Sequence, residues 1–129
     1  MERRIREVTV KLAQNMWDQS KVRVEVIKLL MITQAQVALG FMVNEGVIEL
    51  ALNLMTIHPQ ARETVLFCTT IIARITLSNI EARKRFTAAR GEETVLAVLD
   101  HFGKDHEVTY IVAILFSNVM CPSGAYRYR

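Results

Sequence analysis

Three histidines, two cysteines and one adjacent pair of glutamates are the side chains from which this chain would have to assemble a reactive centre. A zinc-type site needs ligands that the fold presents together. His101 and His106 stand five positions apart with Gly103 between them, so one helical face does not carry both. Asp100, Asp105 and Cys121 add ligand types without a ligand spacing, and no metal is expected. His58 precedes Pro59 and reads as a solvated loop residue. Glu92 and Glu93 follow Gly91 at the start of a helix, where paired carboxylates meet the positive end of the helix dipole and need no catalytic role. The chain has no glycine-rich phosphate loop, no His-Glu-x-x-His and no Gly-x-Ser-x-Gly element. Neither an enzyme nor a cofactor is expected.

The remaining polar groups suit binding. Ser78-Asn79 and Ser117-Asn118 each close a long apolar segment. An asparagine amide both donates and accepts, so it can pair with a peptide unit whatever the peptide's sequence. Equally, it can cap a helix end or bond a neighbouring loop. Arg83, Lys84 and Arg85 with Arg90 form a basic run, read either as a solvated helix face or as a docking edge for an acidic partner. Further basic residues are Arg3, Arg4, Arg6, Arg127 and Arg129. The net charge of +3 is mild, and Phe86 beside the basic run falls in register with the core. Without a stacking platform, nucleic acid is not an expected partner.

Helices must position these groups. The 129 residues are 51% hydrophobic and 22% charged, enough for one domain with its own core. Ile5, Val8, Leu12 and Met16 give the first helix, over about 3–18, an apolar stripe. Ser20 is the expected N-cap of a second helix over 22–39, apolar on most faces and ended by Gly40. A short helical segment over 41–45 precedes Gly46. Val47, Leu50, Ala51 and Leu54 then line a helix that His58-Pro59 stops. Residues 60–79 form a long apolar helix. The same order follows over 80–89, from Gly91 to Gly103, and from Asp105, an expected N-cap, to Pro122. The apolar runs 65–77 and 108–120 are too short to cross a bilayer.

The recurrence of Gly46 at Gly91, 45 positions on, and of Ser78-Asn79 at Ser117-Asn118, 39 on, marks a helical repeat. Asn44-Glu45-Gly46-Val47-Ile48 with Leu50 and Leu54, and the Leu77-Ser78-Asn79 ending, resemble the armadillo repeat. Arg90-Gly91, Val95, Leu99 and Phe116-Ser117-Asn118 resemble it again. HEAT-type two-helix repeats are the nearest alternative; the glycine before the second helix favours armadillo. The resemblance implies an all-α, right-handed α-solenoid of about 2.5–3 three-helix repeats: a partial repeat over 1–39, repeats over 40–79 and 80–121, and a tail over 122–129. It also implies a concave groove lined by the third helices. There Asn79 and Asn118 match the family's peptide-binding asparagine. Ile75 and Ile114 stand where a tryptophan would, so capture of basic peptides is not implied. Ile71 and Tyr110 lie one turn earlier.

These readings converge on a non-catalytic protein–protein interaction module that docks an extended peptide or a partner helix in that groove. The alternative is a structural subunit packed by its solenoid ends and basic edge into a larger assembly. Self-association is expected because the apolar last helix has no polar capping unit after it, unless Tyr126 and Tyr128 fold back over it. Two isolated cysteines, Cys68 and Cys121, make no disulfide framework, and the N-terminus lacks the apolar core of a secretory signal. An intracellular location, cytoplasmic or nuclear, without membrane association, is expected.

Overall fold

The computed structural model describes residues 1–120. They form eight helices and no strand: α1 (Glu2–Gln14), α2 (Gln19–Ile32), α3 (Ala38–Asn44), α4 (Val47–Ile57), α5 (Arg62–Thr76), α6 (Ile80–Ala88), α7 (Gly91–Phe102) and α8 (His106–Met120). No single helix among them is long and apolar enough to cross a membrane. The expected end of α8 at Pro122, Cys121, and the tail with Tyr126, Arg127, Tyr128 and Arg129 lie outside the described residues.

Several boundaries correct the sequence reading. Helix α1 stops at Gln14, which frees Asp18 to cap α2 by accepting the Lys21 N–H at 3.2 Å. Ser20, the expected cap, lies inside α2. Residues 22–39 are not one helix. The Thr33 hydroxyl bonds back to the Leu30 carbonyl and the backbone tightens into three-residue turns, ending α2 at Ile32. Gly40 therefore sits within α3 instead of ending a helix. Trp17 projects from the α1–α2 turn, 81% exposed. His58 stops α4 as expected but is not merely solvated. Its Nε2–H donates to the Met16 carbonyl at 2.6 Å, tying the end of α4 to that turn.

The two glycines at the elbows are not equivalent. Gly46 takes φ +76° and turns α3 into α4 through 69°. At the second elbow the left-handed residue is Arg90, φ +58°, and Gly91 is already the first residue of α7. Gly91 is there for space: a Cβ would lie 2.3 Å from the buried Phe86 ring. The recurring interval is thus 44 residues. It separates Gly46 from Arg90, Val47 from Gly91, and Arg62 from His106. In that register Asn118 falls opposite Arg74, not Asn79.

Helix α5 packs against α2, α4 and α8. It accordingly buries two faces. Val65, Thr69, Ile72 and Thr76 form one; Thr64, Cys68 and Ile71 form the other. In α8 only the counterpart of the second face is buried, as Val108, Val112 and Leu115. In α2, 43 residues before α5, the first face recurs as the buried Val22, Val26 and Leu29, while the second holds Lys21, Glu25 and Lys28. Lys28 donates to Glu25 Oε2 at 3.0 Å, and Glu25 Oε1 has no partner among the described residues. One continuous apolar core runs from Ile5 in α1 to Leu115 in α8. Burial pushes the Cys68 thiol up to about 12, so it packs as a small hydrophobe.

Polar ties join the starts and elbows of the helices. Arg62 donates to Asp105 and Glu107, and Asp105 also caps α8 by accepting the N–H groups of Glu107 and Val108. Arg6 donates to Glu45 Oε2 at 3.0 Å. Hydrogen bonds from these guanidinium groups hold both carboxylates, Asp105 and Glu45, below the usual acidic range.

Gly91→Ala should destabilise the fold by about 1–3 kcal/mol through overpacking against Phe86. Gly40→Ala, with nothing within 4 Å of the new methyl, should stabilise by about 0.5–1 kcal/mol. Denaturant melts of the two variants check this. On acidification, carboxylates with lowered folded pKa values favour the native state above about pH 4 and lose that contribution as pH falls through their folded values. The thermal midpoint should therefore drop below about pH 4. Asp105→Asn, which keeps a capping oxygen, should flatten that acid dependence.

Candidate functional site

Helices α2, α5 and α8 meet along two seams, α2 with α5 and α5 with α8, and each seam carries an equivalent pair of hydrogen bonds. From α5, Arg74 Nη1 donates to the Thr33 hydroxyl at 2.7 Å and the Leu30 carbonyl at 3.4 Å. From α8, Asn118 Nδ2 donates to the Ala73 carbonyl at 2.8 Å and the Thr76 hydroxyl at 3.4 Å. Donors 44 apart reach acceptors 43 apart. Each clamp supplies a partner for carbonyl and hydroxyl oxygens near the C-terminal end of the preceding helix, where intrahelical donors run out.

Beside these clamps runs a surface of Leu30, Phe67, Thr70, Ile111 and Ile114, all half-buried, with Tyr110 70% exposed at its edge. The spacing Phe67, Thr70, Arg74 on α5 and Ile111, Ile114, Asn118 on α8 puts each set on one helical face. The surface is shallow, apolar with a few hydroxyl and amide groups. Among the described residues no group of three or more His, Cys, Asp and Glu side chains is placed to hold a metal ion.

The residues singled out from sequence distribute as follows. Ile71 and Ile75 do not line a groove: both are buried in the core beneath α5. Their neighbours Thr70 and Arg74, one position earlier and so turned by about 100°, open outward instead. Ile114 and Tyr110 do reach the surface. Asn79 is not on α5 at all. It is the N-cap of α6, its Oδ1 accepting the Ala82 N–H at 2.9 Å. Asn118 uses its amide N–H groups within the fold, in the seam. The basic edge shrinks too. Arg83 is buried, its Nε and Nη2 each 2.7 Å from the Thr76 and Leu77 carbonyls, where it caps the end of α5. Arg85 is half-buried and donates to the Val43 carbonyl at the first elbow. Only Lys84 and Arg90 of that run are exposed.

Arg74 is the residue the sequence reading passed over. A cation inside a long apolar run was its signal, and the 44-residue register pairs it with Asn118. Phe67 and Thr70 carried no comparable mark.

Arg83→Met should cost about 2–3 kcal/mol by orphaning two helix-end carbonyls, and Asn118→Ala about 1 kcal/mol. Lys84→Met should stay within about 0.5 kcal/mol. Urea unfolding of the three variants at one pH separates them. The chain matches no protein-family model, no curated protein and no solved structure.

Proposed function

We propose that the chain is a short right-handed helical solenoid, built from the units α1–α2, α3–α5 and α6–α8, that works as a non-catalytic protein–protein interaction module. The observation that carries this reading is the repeated clamp: Arg74 of α5 bonded to the end of α2, and Asn118 of α8 bonded to the end of α5, in one register. Clamps at equivalent positions are what side-by-side stacking of like units produces, and stacked units present an extended face. The partner that fits the α2–α5–α8 face is a helix or extended peptide with apolar side chains, set down over Leu30, Phe67, Ile111 and Ile114 and met by Tyr110. Asn79 and Asn118 contribute by fixing the scaffold; contact with a peptide backbone falls instead to the exposed Arg74 guanidinium and to the oxygen of the half-buried Thr70 hydroxyl.

A second reading, packing into a larger assembly by an end of the stack, draws on α8. The face equivalent to the buried Val65, Thr69, Ile72 and Thr76 of α5 is open there.

The test of the first reading is affinity capture with the wild-type chain, a Thr70→Arg/Tyr110→Asp variant and a Lys84→Glu control, all checked for unchanged melting. The face variant should lose its specific partner by at least about tenfold, as for a disrupted contact centre. The control should retain it. Equal recovery by all three would remove the face from consideration.

A further inference from the structure

We infer that the outward stripe of α8 is a two-fold docking surface for a second copy of this chain. The inference deepens the end-packing reading and does not depend on the α2–α5–α8 face. The stripe is Thr109, Ala113, Phe116 and Met120, spaced four, three and four. Thr109 and Phe116 are half-buried, Ala113 is exposed and Met120 is 70% exposed. Their counterparts in α5, 44 residues earlier, are Val65, Thr69, Ile72 and Thr76, every one at 0% exposure. At 100° per residue the stripe lies on the side of α8 roughly opposite Asn118, hence away from the α5 seam.

The order of side-chain sizes identifies the occupant. The spacing reads the same in both directions, so an antiparallel copy of α8 brings Thr109 opposite Met120 and Ala113 opposite Phe116. Each small residue then faces a large one across the axis, which is how ridges fill grooves at a helix–helix contact. A two-fold contact needs this self-complementarity, because each side meets the same patch reversed. Charge does not oppose it: residues 108–120 contain no Asp, Glu, Lys or Arg. The corresponding face of α2 carries the exposed Lys21, the half-buried Lys28 and the buried Glu25, whose Oε1 has no partner among the described residues; it is a poor match for so apolar a stripe, which argues against head-to-tail stacking.

Sedimentation of the intact chain across concentration tests this, with Ala113→Glu and Ala113→Lys variants whose circular dichroism matches wild type. The wild type should form dimers and go no further. Each variant alone should weaken association by at least about tenfold, since two like charges meet near the axis. A mixture of the two variants should restore a dimer containing one of each. Thr70→Arg should associate as wild type does. A wild-type monomer at about 1 mM would overturn the inference. So would open-ended oligomers, loss of association in Thr70→Arg, or variants that fail to rescue one another.

Discussion

Helix α5 is enclosed on three sides, and the placement of its neighbours follows from how that enclosure is satisfied. A helix of 15 residues with two buried faces has few positions left for polar side chains. The polar residues at its buried positions are threonines. Thr69, Thr70 and Thr76 each bond back to the carbonyl four residues earlier, so their hydroxyls are satisfied within α5. A buried hydroxyl left unpaired would cost about 1–3 kcal/mol, so this local pairing is what lets threonine occupy interior positions beside valine and isoleucine. The neighbours then meet a surface rich in valine and isoleucine, each with one dominant rotamer in a helix, which favours a single packing arrangement.

Helical class, the interior apolar sets and most breaks were legible in the sequence because they rest on local chemistry. Gly46 and His58-Pro59 bound α4 through backbone conformation, and Asp105 starts α8 through a side-chain cap; each acts within its own segment. What was not legible is the register between helices. Matching Ser78-Asn79 to Ser117-Asn118 by letter gave an interval of 39, whereas geometry pairs Asn118 with Arg74. The first asparagine caps the helix that follows; the second sits inside a helix. The five-residue difference between the two intervals rotates a helix by about 140°. That is enough to exchange the buried Ile71 and Ile75 for Thr70 and Arg74. The basic run failed as a surface feature for a related reason. Its residues alternate between the outside of α6 and the carbonyl ends of α5 and α3, and cations at helix C-termini are structural partners before they are docking groups.

The outer faces of α2 and α8 differ in chemistry. Beside α2 the free face holds Lys21, Glu25 and Lys28, with a lysine–glutamate pair where α5 and α8 carry Cys68, Ile71, Val112 and Leu115. Glu25 is buried there and its Oε1 has no hydrogen-bond partner among the described residues, so an apolar surface laid over this face would leave that charge uncompensated. Beside α8 the equivalent device is absent among the described residues. The asymmetry gives the fold one side suited to solvent and one suited to an apolar contact, without any change in the helix plan.

The close approach of Asn118 to the Ala73 carbonyl has one more consequence. An amide on one helix reaches the main chain of the next only where the intervening side chains are small, and here they are Ala73 and Thr76. The distance between the two axes is therefore governed by very few atoms. Bulkier residues at these two sites would act as a wedge and splay α8 from α5, altering the curvature of the whole surface while leaving the interior chemistry untouched. Shape in this architecture is adjustable by volume at a handful of junction positions.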